Sequence, residues 1–79
     1  MDIMKPPEGF PARLTYAMQR RGMSDADVAD KAYISASTVY RYRTGTRYPN
    51  VYTATLIAKA LNVSMDWLCD VKRRNNDQS

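Results

Sequence analysis

The chain contains no histidine and only one cysteine, Cys69, in its 79 residues. Without histidine it lacks the commonest general base and the commonest metal ligand. A single thiol can form no intrachain disulfide and no cysteine-based metal site, so a buried, inert thiol in a reducing cytoplasm is expected. No apolar run approaches the ~20 residues of a membrane span. Residues 1–7 lack the apolar core of a secretory signal, and a cytoplasmic protein is expected. There is no glycine-rich phosphate loop and no pair of carboxylates placed for acid–base work. Asp25, Asp27 and Asp30 crowd one helical segment and read as cap and surface charges. Neither an enzyme nor a cofactor or metal is expected.

Nothing acidic lies between Asp30 and Asp66. The formal net charge is +4 and the pI about 9.5. That balance suits a polyanionic partner, and equally suits plain solubility. The length argues for one domain with a small core and little material for a deep catalytic cavity.

Helical periodicity recurs along the chain and no strand pattern interrupts it. Residues 1–8, with two prolines, read as a flexible arm. A first helix starts at Gly9 or Phe10 with Pro11 in its first turn. It buries Phe10, Leu14, Ala17 and Met18, and Gly22 stops it. Arg20 and Arg21 suit its negative end. Ser24 and Asp27 form a capping box for a second helix, whose apolar residues are Val28, Ala29 and Ala32. Residues 32–34 are expected to turn, and Ser35 to cap a third helix ending at residues 44–46. Asn50 caps a fourth helix with Ala54, Ile57, Ala58 and Leu61 on its core side. After a break at Asn62 and Val63, Ser64 caps a short fifth helix containing Met65, Trp67, Leu68 and Val71. Residues 72–79 have nothing to bury and read as a disordered tail, whose Lys72, Arg73 and Arg74 could add phosphate attraction. The domain proper spans 9–71, a compact all-α bundle of five helices.

The third helix carries the clearest chemical signal. At ~100° per residue, Val39 and Tyr42 fall on one side. Ala36, Ser37, Tyr40, Arg41 and Thr44 fall on the other, with Arg43 at the flank. A short helix with small residues at its start and arginines along its length fits the major groove of DNA. Arg41 can present a bidentate fork to guanine, Ser37 can reach a base edge or phosphate, and Ala36 can meet a thymine methyl. Tyr40 can reach a phosphate through its hydroxyl or a base through its ring. Arg43, Thr44 and Arg47 flank this side and would position the backbone. Tyr16, Tyr42 and Tyr52 read as packing residues. Tyr48 is balanced between phosphate contact and loop packing.

Ala29, Ile34-Ser35, Val39 and Gly45 followed by Pro49 occur in that order. After them come residues 56–64, LIAKALNVS, and then residues 65–68, MDWL. Over residues 10–71 this pattern resembles the Cro/CI (Xre-type) helix-turn-helix family, which includes lambda-repressor-like regulators. The resemblance implies a five-helix DNA-binding domain with the helix-turn-helix at the second and third helices. It implies base contacts from Ala36, Ser37, Tyr40 and Arg41. It implies backbone contacts from Thr44, from the loop residues Thr46, Arg47 and Tyr48, and from Ser24 or Asp25 at the start of the second helix. Ser35 and Arg43 complete the expected backbone set. Three positions depart from the pattern. Tyr33 stands where glycine is usual, so the turn is either strained or differently built. Asp25 puts a negative charge beside an expected phosphate, and Ala36 replaces a frequent glutamine.

The expected function is a sequence-specific regulator binding double-stranded DNA, a small repressor of phage or mobile-element type. One helix in one groove buries little, and relatives dimerise, so a homodimer on DNA is expected. It would form through this domain or on the DNA, since the chain lacks a separate oligomerisation domain. Met65 and Val71 are the interface candidates, with Trp67 and Leu68 assigned to the core. The alternative is a protein-interaction module on the same fold, an antitoxin or anti-repressor, with a protein partner.

Overall fold

The computed structural model describes residues 7–71. Most of the expected arm, residues 1–6, and all of the expected tail, residues 72–79, lie outside the described residues. The described residues form five helices and no strand: α1 (Phe10–Arg21), α2 (Asp25–Ala32), α3 (Ala36–Arg43), α4 (Val51–Leu61) and α5 (Met65–Leu68). Among them no helix is long and apolar enough to cross a membrane.

Each start has a local chemical cause. The side chains of Ser24, Ser35, Asn50 and Ser64 accept from backbone N–H groups three residues ahead. Those donors would otherwise be left unpaired in the first turn. At α2 the bond is reciprocal, because the Asp27 carboxylate also accepts the Ser24 N–H at 2.9 Å. That bond holds the Asp27 carboxyl below the usual carboxylate range. At α1 the cap is Gly9, which has no side chain. Its N–H donates instead to Asp70 Oδ2 at 2.7 Å, from the far end of the domain.

The helix ends depend on backbone handedness. Gly22 and Asn62 end α1 and α4 in the left-handed conformation. Tyr33 does the same for α2, at φ 61° and ψ 42°. The helix-turn-helix therefore keeps the left-handed turn that glycine usually supplies, and a tyrosine holds it. Helix α2 runs one residue into the expected turn, which shortens to Tyr33 and Ile34. Gly45 at φ 79° turns the chain out of α3; a Cβ there would stand 3.5 Å from Pro11 Cγ.

The core is the sum of the helical stripes. Leu14, Val28, Val39, Ile57, Leu61 and Leu68 are fully buried. The small residues Ala29, Ala32 and Ala58 let α2 and α4 approach closely within the same cluster. Phe10 meets Tyr42 edge to face, with centroids 6.2 Å apart, and so joins α1 to α3. Arg13 ties the two ends of the domain together. Its guanidinium donates to the carbonyls of Pro7 and Trp67 at 2.7 Å each and lies 3.4 Å from Asp70 Oδ1. It also sits 5.0 Å from the centre of the Trp67 ring.

Four expectations change. Helix α5 ends at Leu68, and Val71 lies beyond it, because Asp70 takes a left-handed φ of 55°. Trp67 is half-buried, lying under Arg13 and against Tyr16. Tyr52 is 72% exposed and is not a packing residue. Cys69 is also only half-buried; burial, then the nearby Asp66 charge, pushes its thiol pKa up, against thiolate chemistry.

Candidate nucleic-acid interface

Helix α3 divides as its sequence pattern requires. Val39 and Tyr42 are buried, while Ala36, Ser37, Tyr40, Arg41 and Thr44 are exposed. Thr38 and Arg43 are half-buried at the flanks. Two buried side chains therefore anchor an eight-residue helix, and its outer side stays clear of the core.

Hydrogen bonding sorts the polar residues into free and engaged. The Arg41 and Arg47 side chains have no hydrogen-bond or ion-pair partner among the described residues. They are exposed, hydrated cations available to a ligand. At the start of α3, Ser35 Oγ lies 3.2 Å from Ser37 Oγ and 2.8 Å from Thr38 Oγ1. Those two contacts use two of the three hydroxyl protons, which leaves one for an outside acceptor.

The C-terminal end of α3 is more self-contained than the sequence suggests. Thr44 Oγ1 donates to the carbonyls of Tyr40 and Arg41 at 3.0 and 3.2 Å. The 3.1 Å contact between the Thr44 and Thr46 hydroxyls therefore takes its proton from Thr46. Both hydroxyl protons point inward, and each would have to leave a carbonyl or its neighbour to reach a phosphate. The Thr46 N–H is likewise bonded to the Arg41 carbonyl at 2.9 Å. Tyr48 packs in the loop and keeps an open side. Its ring packs on Phe10 with centroids 5.9 Å apart, yet the residue is 61% exposed.

Asp25 and Arg43 form a pair. Arg43 Nε donates to Asp25 Oδ1 at 2.7 Å, and Nη2 to Oδ2 at 2.9 Å. This two-bond fork joins the first residue of α2 to the last of α3. The bonds to Arg43, more than its bare charge, hold the Asp25 carboxyl below the usual carboxylate range despite partial burial. The same bonds push the Arg43 guanidinium further up. Both expected backbone contacts are thus occupied with each other. An ionised carboxylate has no proton to donate, so Asp25 cannot itself hydrogen-bond a phosphate. Ser24 has the hydroxyl that Asp25 lacks: its oxygen caps α2, and its proton lies within reach of the Asp27 carboxylate.

The pairing of Asp25 with Arg43 has no local sequence signal. The two lie 18 positions apart and meet only because α2 and α3 cross. Arg43 also lies over the Tyr40 ring, 5.2 Å from its centre. The interface candidates Met65 and Val71 differ from each other. Met65 packs on the core, with its sulfur accepting from the Thr55 hydroxyl at 3.7 Å, and Val71 is 55% exposed.

A model of the helix-turn-helix family matches residues 14–68, which span α2, the turn and α3. None of the curated proteins matches the chain.

Proposed function

The chain belongs to the helix-turn-helix family of the Xre/Cro-CI type and is a DNA-binding regulator of that kind; on that premise, we propose that it is a small sequence-specific repressor whose α3 reads base edges in the major groove. The observation that carries the reading is the outer side of α3, where an unpaired Arg41 stands beside Ser37 and Tyr40 on a helix anchored by Val39 and Tyr42.

In this reading Arg41 forks onto a guanine, Ser37 and Ala36 meet neighbouring bases, and Tyr40 presents its ring. Arg47, Tyr48, Ser24 and the Ser35 hydroxyl cluster hold phosphates and set register without reading sequence. Thr44 and Thr46 serve mainly to close the end of α3. Two copies bind one site, with half-sites one helical turn, roughly 34 Å, apart. The α5 end, with Met65 and Val71, is the side on which they would meet. Repression follows from occupying promoter DNA inside the cell, in the manner of phage and mobile-element regulators.

Selection of bound DNA from a random pool tests this. The expected result is an enriched site with two related halves. Recovery of DNA with no sequence enrichment would overturn sequence-specific reading.

A further inference from the structure

Asp25 presents a conflict that its geometry resolves. The start of α2 carries the positive end of the helix dipole, which favours an aspartate there. If α3 lies in the groove, the same end approaches a phosphate, which a bare carboxylate repels. Arg43 cancels that charge with a two-bond fork, and its guanidinium lies over the Tyr40 ring. Tyr40 is 54% exposed, and Arg43 is the cation against its face. A connected series therefore runs from α2 through Arg43 to the outer side of α3.

We propose that Asp25 is a specificity-determining positioning residue: through Arg43 it fixes the Tyr40 ring toward the base edges and withholds a cation from indiscriminate phosphate binding. The inference rests on α3 being the DNA-reading helix. It has two consequences of opposite sign. Without the carboxylate, Arg43 leaves the Tyr40 ring and sequence discrimination falls. The same Arg43 becomes free for phosphate, and binding to any DNA tightens.

The test compares the full chain with Asp25→Asn, Tyr40→Ala and the double variant. Each is titrated against a selected site, single-base variants of that site and random duplex, over a range of salt. Asparagine keeps the shape and leaves the Ser24 cap in place but removes the charge. Asp25→Asn should bind random duplex more tightly, with the salt slope steeper by about 0.9 for one added phosphate contact. Its discrimination should fall roughly two- to fivefold at one base position, the factor an exposed guanidinium–ring contact is worth. In the Tyr40→Ala background the same change should leave discrimination alone while still tightening random binding. Arg43→Lys, which keeps a charge but not the planar fork, should lose discrimination at the same position.

Equal discrimination by Asp25→Asn and wild type would overturn the proposal. So would an equal loss with and without Tyr40, which would indicate a general loosening of the domain. Wild-type protein that shows no preference for any selected DNA would overturn the underlying reading instead, and that outcome is visible before any variant is made.

Discussion

Tyr33 holds a left-handed backbone while 82% of its surface stays open to solvent. A side chain in that region costs roughly 1–2 kcal/mol, and so exposed a ring recovers little of it through packing. Glycine adopts the conformation freely but has more unfolded-state entropy to lose, by roughly 0.4–1 kcal/mol. Tyr33→Gly should therefore stabilise the domain by about 0.5–1 kcal/mol, read as a rise in Tm of a few degrees. A fall in Tm would show that the ring makes stabilising contacts. The sequence marked residue 33 as the place where the family pattern has glycine but left open whether the turn is strained or rebuilt; the structure keeps the left-handed conformation. Pairing of Asp25 with Arg43 was not legible. A charge near an expected phosphate has several possible partners, and only the crossing of α2 and α3 selects one.

Among the elements, helix starts were the most legible feature, because a cap is a bond between residues three apart. Ser24, Ser35, Asn50 and Ser64 all cap where the sequence places them. The apolar stripes of α1, α2 and α4 were legible for the same reason: helical spacing alone decides which residues share a side. Legibility fails at the ends of the bundle. Helix α5 is shorter than its apolar pattern suggests because Asp70 stops the chain with a backbone conformation that its side-chain type does not announce. The clasp of Arg13 on Trp67 and Asp70 joins residues more than 50 positions apart and leaves no local trace. Arg13 and Asp70 are only 12% and 15% exposed, so Arg13→Met would leave a carboxylate and two carbonyls poorly paired. The expected cost is about 2 kcal/mol, below that of breaking a fully buried pair because some solvent reaches it. Denaturant unfolding measures it. An unchanged midpoint would mean that the clasp only tethers the ends of the described chain.

For the molecule as a whole, the proposed function assigns attraction to DNA to the net charge of +4 and discrimination to the geometry of α3. The two are separable because two unpaired cations near the outer side of α3 differ in place: Arg41 projects from α3, and Arg47 from the loop after it. The outer residues of α3 were legible as a set, since burial of Val39 and Tyr42 fixes which side faces out. Their division into free and engaged groups was not, because it depends on hydrogen bonds made after folding. The most direct measurement is the affinity of Arg41→Ala and Arg47→Ala for a selected site and its single-base variants across a salt series. Arg41→Ala should weaken binding to the selected site and relax preference at one base pair by about 1–3 kcal/mol. Arg47→Ala should weaken all duplexes alike and flatten the salt slope by about one. If Arg41→Ala keeps wild-type affinity and wild-type preference at every position, α3 does not read the groove.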